Sequence, residues 1–194
     1  STTNCGEGKT ECIVIYDSDI LQALEYIESI ASQHLIAAIN MSLGSGNYAS
    51  PCSSSVFTTV INRLRDLHIA TVASSGNNYY TSSLNAPACI PSVVAVGSVN
   101  DANDTVSSWS NSASFLDILA PGQSIYAAYP GGGYGNKSGT SMAAPHVAGT
   151  FALLKSANPG MDVSQALALM QSSAPQVLDN RNGLSFARLD LGGL

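Results

Sequence analysis

The chain alternates helical segments with short, almost wholly apolar segments, and this alternation limits the folds that it can adopt. Apolar runs of strand length occupy residues 35–42, 69–73 and 92–97, and a shorter one occupies residues 116–119. Such runs are typical of strands that are buried on both faces of a parallel sheet. Because helical segments separate them over short connections, the sequence predicts an α/β fold, an open, doubly wound, mostly parallel sheet with helices on both faces.

The first two helices are predicted from apolar side chains at helical spacing. One helix covers residues 19–33, with Asp17 or Ser18 as its N-cap, and another covers residues 54–67. Each helix leads into one of the apolar runs. This order, helix then strand, is what a doubly wound sheet requires.

The C-terminal third of the chain predicts a hairpin and two more helices. Residues 124–129 and 134–137 flank a Pro-Gly-Gly-Gly turn. The helix over residues 140–156 is apolar nearly all round and is therefore predicted to be central and buried. Asp162 or Ser164 is expected to cap a last helix.

Composition argues against two classes of partner. Only 10% of the 194 residues are charged, the formal net charge is −6, and the seven Lys and Arg residues are scattered. We therefore expect no nucleic-acid partner, since no basic stripe is present to neutralise a phosphate backbone. No apolar run approaches the roughly 20 residues that span a bilayer, so no membrane partner is expected. The sparse charge favours a secreted, extracellular protein with a neutral-polar surface.

Four cysteines, at positions 5, 12, 52 and 89, lack the paired spacing of a structural zinc site. An even number fits two disulfides, for which three connectivities exist. We favour Cys5–Cys12, a local pair, and Cys52–Cys89, which flanks the loops discussed below. Four free thiols in a cytosolic protein are the alternative.

Three segments carry a specific resemblance. Residues 139–149, GTSMAAPHVAG, resemble the nucleophile motif of the subtilase family. Residues 74–77, SSGN, resemble the oxyanion-hole segment of that family, and residues 40–44, NMSLG, resemble its substrate-binding strand. The three segments occur in the family's order, and the similarity extends from about Ser18 to the C-terminus. On this resemblance, residues 1–194 are one partial subtilase catalytic domain.

The resemblance implies a Ser–His–Asp serine endopeptidase with Ser141 as nucleophile and Asn77 as an oxyanion-hole residue. The physical chemistry agrees, because a serine in the first turn of a helix has an unpaired backbone N–H beside its hydroxyl. Taken alone, Ser141 is also explained as part of a helix start, and Asn77 as a turn residue. An α/β-hydrolase esterase is another alternative, but its Gly-X-Ser-X-Gly motif does not match Gly139–Ala143.

None of the three histidines is placed to activate Ser141. His146 lies five residues after Ser141 on one helix, so the two side chains point about 140° apart. His34 and His68 precede buried strands and are expected at the opposite edge of the sheet.

The family carries its catalytic Asp and His in N-terminal motifs that residues 1–194 lack. We therefore expect an upstream segment of the precursor to carry them, and we expect this chain alone to have negligible peptidase activity. A degenerate subtilase that serves as a binding or scaffold module is the alternative.

The resemblance also implies a polypeptide-binding pocket. Ser42, Leu43 and Gly44 would form one wall of the primary specificity pocket. The second wall would consist of Ala73, Ser74, Ser75 and Gly76. Small residues on both walls predict a preference for large apolar or aromatic side chains, and Ile20 is expected near a more distant subsite.

A structural calcium site is implied by a narrower resemblance to proteinase-K-like members. The carbonyls of Pro91 and Val93 and the carboxylate of Asp117 would be its ligands. Hard oxygen ligands suit calcium. The alternative is that Asp117 is an ordinary acidic residue at the start of a strand.

Overall fold

A computed structural model describes residues 15–193. Four helices, eleven strands and a final 3-10 turn at Leu191–Gly193 make up the described part of the chain. The helices are α1 (Asp17–Ile30), α2 (Thr58–Asp66), α3 (Thr140–Ala157) and α4 (Val163–Ser172). The strands are β1 (Ala38–Met41), β2 (Ser45–Tyr48), β3 (Ala70–Ser74), β4 (Leu84–Ala86), β5 (Val93–Asn100), β6 (Thr105–Val106), β7 (Ile118–Pro121), β8 (Ile125–Ala128), β9 (Tyr134–Lys137), β10 (Gln176–Asp179) and β11 (Leu184–Ala187).

The central sheet is parallel and contains the apolar runs predicted as strands. Strands β1, β3, β5 and β7 lie side by side in that order and all pair in parallel, while β6 pairs antiparallel with the end of β5. Strand β3 is buried at all of its positions. The prediction of a mostly parallel α/β sheet is confirmed.

Each face of the sheet carries its own apolar core and its own pair of helices. Side chains of β3 alternate between the two cores, with Ala73 on the side of α1 and α2 and Val72 on the side of α3 and α4. This alternation follows from the two-residue period of a strand. The helix side chains buried against the first face include Leu24, Val60, Ile61 and Leu64. Those buried against the second face include Ala143, Val147, Phe151, Val163, Ala166 and Met170. The fold is therefore doubly wound, as predicted.

Helix α3 differs from its prediction on one face. Its small residues pack closely on the sheet, yet the opposite side is open, and Leu153 is 60% exposed. The prediction that α3 is central and buried holds for the face that packs on β1, β3, β5 and β7, but not for the opposite face. Because apolar residues occur all around this helix, the sequence does not indicate which face is exposed. In the structure, no other described element covers the face that carries Leu153.

The two predicted N-caps have different outcomes. Asp162 caps α4 with its carboxylate and forms a capping box with Gln165, as predicted. For α1 the prediction is wrong, because Asp17 and Ser18 lie inside the helix and the N-cap is Tyr16, which contributes no side-chain hydrogen bond.

The Cys52–Cys89 disulfide is confirmed, with a Cα–Cα distance of 5.2 Å. It joins the loop before α2 to the segment after β4, and the Cys52 N–H also donates to the Cys89 carbonyl at 2.8 Å. The predicted Cys5–Cys12 pair lies outside the described residues. Among residues 15–193, no helix has both the length and the apolar character that crossing a bilayer demands.

Removing this disulfide is expected to destabilise the fold substantially. The bridge closes a loop with a sequence separation of 37 residues. On the loop-entropy relation this is worth about 4 kcal/mol of unfolding free energy, less any native strain. Urea unfolding of the Cys52→Ala/Cys89→Ala variant measures the loss, with Ser54→Ala on the same loop as the control. An unchanged midpoint in the double variant would contradict the assignment.

Candidate active site

The carboxyl ends of β1 and β3 meet the first turn of α3 at one edge of the sheet. A cavity of about 710 Å³ opens there, and its lining includes Leu43 and Gly44 after β1, Gly76 and Asn77 after β3, and Ser141 of α3. Ligands of open α/β sheets bind at this edge. The structure therefore brings together the three segments that the sequence singled out.

Ser141 is held against the loop that follows β1. Its Oγ donates to the Ser42 carbonyl at 3.3 Å, while the Ser42 hydroxyl donates to the Ser141 carbonyl at 2.8 Å. That carbonyl is free to accept because Pro145, four residues later, has no N–H to give the usual helical bond. The reciprocal pair fixes the first turn of α3 relative to β1.

Among the described residues, the Asn77 side-chain amide has hydrogen-bond partners at its oxygen and none at its nitrogen. Its Oδ1 accepts from the Thr140 N–H and from the Thr140 hydroxyl, both at 3.0 Å. These two donors leave Nδ2 as the unengaged end of the amide. A β-carbon placed on Gly139 would lie 3.5 Å from Asn77 Nδ2 and 3.7 Å from Ser141 N, so both nitrogens flank the same glycine. Among residues 15–193, no acceptor pairs with the Ser141 N–H. Two hydrogen-bond donors therefore lie close together beside Gly139 and the first turn of α3.

Thr140 is a site residue that the sequence reasoning missed. It is fully buried, its hydroxyl donates to Asn77, and its Oγ1 accepts the Gly76 N–H at 3.2 Å. Its position next to Ser141 within the motif is a signal that was available. What the sequence does not indicate is that the hydroxyl faces a loop 63 residues away.

Gly76 is required by the close packing beneath residues 75–80, the loop that contains Asn77 and is called the oxyanion loop below. Its φ is +109°, a backbone conformation that L side chains rarely adopt. A β-carbon at this position would collide with the side-chain amides of Asn85 and Asn111. The loop therefore sits directly on a pair of buried amides.

The predicted pocket walls are present only in part. Leu43, Gly44, Ser74 and Gly76 line the cavity, and Ser42 lies beside Ser141. Ala73 and Ser75 are fully buried and do not line it. Amide and phenol side chains that the sequence did not indicate, Asn47, Asn78, Asn85 and Tyr80, complete the lining.

A second cavity of about 500 Å³ adjoins the first through Leu43, Gly44 and Ser45. Its lining is more apolar and includes Ile20 and Phe57. Ile20 is thus near the binding cleft but outside the pocket that contains Ser141. Strand β2 contributes residues to the lining of both cavities and is exposed at all four positions.

Comparison with known proteins decides the family. The profile of the subtilase family matches residues 14–188, which is most of the chain. The chain belongs to the subtilase family. It is 42% identical over 139 residues to subtilisin of Bacillus pumilus, covering 70% of this chain. It is 36% identical over 166 residues to subtilisin DY of Bacillus licheniformis, covering 84% of this chain.

Solved structures agree with this assignment. A cold-adapted subtilisin-like serine proteinase superposes with a TM-score of 0.76 at 31% identity, covering 91% of this chain and 63% of that protein. The prenylagaramide maturation protease PagA superposes with a TM-score of 0.74 at 25% identity, covering 94% of this chain and 68% of that protein. The chain spans about half the length of the subtilisins it matches, 48% for that of B. pumilus and 57% for subtilisin DY.

The histidines of this subtilase chain lie away from Ser141. Lys155, near the end of α3, donates to the His68 carbonyl at 2.6 Å, and fourteen residues of helix separate it from Ser141 by about 21 Å. His34 lines a cavity with His68 and Lys155. His146 is exposed, and its Nδ1 hydrogen-bonds the Met142 carbonyl at 2.8 Å. None of the three contacts the Ser141 hydroxyl.

The residues implied as calcium ligands lie close to a positive charge. One oxygen of Asp117 accepts the Ala95 N–H at 2.7 Å, and Arg65 donates at 3.0 Å to the carbonyl of Ser92, the residue between Pro91 and Val93 in the sequence. Burial raises the pKa of Asp117 to about 6, against the opposing effects of the Ala95 N–H and the Arg65 charge. Calcium sites gather six to eight oxygens from carboxylates, carbonyls and waters. Here one partly engaged carboxylate shares its surroundings with a guanidinium.

Proposed function

We propose that this chain carries the nucleophile and oxyanion hole of a subtilisin-like serine endopeptidase that cleaves peptide bonds in protein substrates. The observation that carries the proposal is the convergence of the Ser141 hydroxyl, the Ser141 N–H and the Asn77 amide at one cleft. Attack of Ser141 Oγ on a substrate carbonyl would place negative charge on its oxygen, beside these two donors. The general base would take the Ser141 hydroxyl proton during attack and give it to the amine as the C–N bond breaks, which leaves an acyl-enzyme for water to hydrolyse.

The substrate we infer is an extended polypeptide. Strand β2 pairs with β4 and is exposed along its length, so its surroundings suit the main-chain pairing by which sheets bind peptides. The side chain before the cleaved bond would enter the cavity bounded by Leu43 and Gly76. Our expectation of apolar or aromatic specificity rests on its small-residue walls. A more distant substrate side chain would lie in the adjoining cavity near Ile20.

We infer that the general base comes from a segment outside the described residues. Ser141 Oγ donates to a carbonyl, and a carbonyl does not act as a base at neutral pH. An upstream segment of the same precursor, carrying the family's Asp and His, is the partner we propose. In the described part of the chain, β1 pairs with β3 along one edge and has no strand on the other, which makes that edge a suitable place for such a segment. The Cys52–Cys89 disulfide favours an oxidising, extracellular location.

Fluorophosphonate labelling tests the proposal. The probe, applied to the complete precursor-derived protein, is expected to label it, and the Ser141→Ala variant is expected to remain unlabelled and without peptidase turnover. Ser172→Ala, which removes an exposed hydroxyl on α4, is the matched control.

Residues 1–194 alone are expected to show negligible peptidase turnover. Peptidase turnover by the isolated chain that depends on Ser141 would contradict our account of the base. A complete protein that stays unlabelled would favour the binding or scaffold module.

For the Asp117 site, we infer that Arg65 provides the positive charge, so that calcium binds weakly. Millimolar calcium is expected to leave the melting temperature of the wild-type chain nearly unchanged. Arg65→Gln is expected to lower that temperature and to make it rise with calcium. At a calcium concentration ten times the dissociation constant, that rise corresponds to about 1.4 kcal/mol of unfolding free energy. Differential scanning calorimetry with calcium and with chelator measures both. A larger calcium response in the wild type than in the variant would contradict this inference.

A further inference from the structure

Asn111, in the loop between β6 and β7, is the most extensively hydrogen-bonded side chain near the cleft. It is fully buried, and its Oδ1 accepts the backbone N–H groups of Asn78 at 2.8 Å and Tyr80 at 3.2 Å. Its Nδ2 donates to the Ser75 carbonyl at 3.0 Å and lies 3.3 Å from the Asn78 Oδ1. One amide thus bonds the chain on both sides of Asn77.

The backbone of Asn111 adds two further bonds to the same loop. Its N–H donates to the Gly76 carbonyl at 2.9 Å, and its carbonyl accepts the Ser75 hydroxyl at 2.9 Å. Residues 75, 76, 78 and 80 are therefore all tied to this one position. Within this segment Asn111 bonds neither Asn77 nor Tyr79, and the Tyr79 N–H donates instead to the Trp109 carbonyl.

Asn85 extends the connection to β2, the strand proposed above to pair with the main chain of the substrate. Its Oδ1 accepts from Asn111 Nδ2, its Nδ2 donates to the Gly46 carbonyl of β2 at 3.0 Å, and its N–H donates to the Ser75 carbonyl at 3.0 Å. The two amides pack under Gly76, where no β-carbon would fit. They form a continuous polar link from β2 to the oxyanion loop.

We propose that Asn111 is a positioning residue, which through Asn85 and the loop 75–80 sets the direction of the Asn77 amide and couples it to the substrate strand β2. This inference rests on the proposed function. Among residues 15–193, the Asn77 side chain hydrogen-bonds only Thr140, so its placement otherwise depends on its neighbours in the chain. Both neighbours, Gly76 and Asn78, are held by Asn111. An oxyanion donor is effective only if it is held in place before the charge develops.

Hydrogen exchange on the chain itself tests the positioning directly. The Thr140 N–H donates to Asn77 Oδ1, so its protection reports whether the Asn77 amide is correctly turned. In Asn111→Ala we expect at least tenfold faster exchange at Asn78, Tyr80 and Thr140, under conditions where the global fold persists. Asn182→Ala is the matched control, since Asn182 is a comparable structural amide that bonds Thr81 and Ser112 instead. It is expected to leave those three amides unchanged.

Kinetics of the complete protein provides the second readout. Asn111→Ala is expected to lower kcat at least tenfold with KM within about twofold, and Asn182→Ala is expected to change neither. If Asn111→Ala does not fold, Asn85→Ala replaces it, with exchange at Thr140 expected to lie between the rates of wild type and of an unprotected amide. Unchanged Thr140 exchange in the folded variants would overturn the inference, whatever the activity. Absence of Ser141-dependent turnover in the wild type, with the exchange result intact, would overturn only the proposed function.

Discussion

Asn77→Ala in the complete protein is expected to lower kcat by 100- to 1000-fold while changing KM little. In the proposed function, the Asn77 amide would meet the substrate oxygen only when that oxygen carries charge, so its loss would raise the barrier and leave ground-state binding intact. The expected loss corresponds to about 2.7–4 kcal/mol, a figure that was itself measured on an oxyanion-hole asparagine of a subtilisin. Steady-state hydrolysis of a peptide substrate by the folded variant measures it.

Two further variants separate the lost donor from other effects. Asn158→Ala removes an exposed amide at the C-terminal end of α3, away from the cavity, and it is expected to leave kcat unchanged. Asn77→Asp keeps the oxygen that accepts from Thr140 but replaces the donor by a negatively charged oxygen, so it is expected to be at least as inactive as alanine. Equal losses in Asn158→Ala and Asn77→Ala, or full activity in either Asn77 variant, would contradict the assignment of Asn77.

The elements that the sequence predicts correctly have strong local signals. Strand β3 is a run of apolar and small residues with no competing helical period, and α4 begins with an Asp and a Gln at capping-box spacing. Strands β2 and β4 were missed, since Gly46 and Asn47 have low strand propensity and only the pairing across 36 or more residues makes them strands. Local patterns do not contain that information.

The site shows the same division between local and tertiary information. A contiguous motif identifies Ser141 and a second one Asn77, because the chemistry requires these residue types at those places. Thr140, Asn85 and Asn111 act through buried side chains whose partners lie at least 26 residues away. Their roles depend on which loops the fold brings together. A buried polar residue must find partners, but the sequence alone does not say which ones.

The support for the oxyanion loop continues outward to the hairpin of β10 and β11. Arg181 donates to the carbonyls of Ser108 at 2.6 Å and Ser110 at 2.7 Å, in the segment that leads into Asn111. Asp179, whose side chain is 1% exposed, holds the guanidinium through bonds of 2.8 and 2.7 Å. The ion pair thus anchors the loop from which Asn111 reaches the active site.

Asp179→Ala is expected to reduce the unfolding free energy by about 3 kcal/mol at neutral pH, because it leaves the Arg181 charge without its buried partner. Burial raises the pKa of Asp179, but hydrogen bonds from the Arg181 side chain and backbone outweigh that effect and hold it below its ordinary value. A lowered carboxyl pKa stabilises the fold fully above the unfolded-state pKa, near 3.9. The difference in unfolding free energy between the wild type and Asp179→Ala should therefore be constant from neutral pH down to about 5. It should shrink only as the pH falls below about 4 and through the folded-state pKa.

Urea unfolding at a series of pH values measures this pH dependence. Glu28→Ala, which removes one partner of the exposed pair with Arg63, is the control and is expected to change stability little. A difference that grows as the pH falls would mean that Asp179 is held protonated, and that Arg181 anchors the Asn111 loop without it.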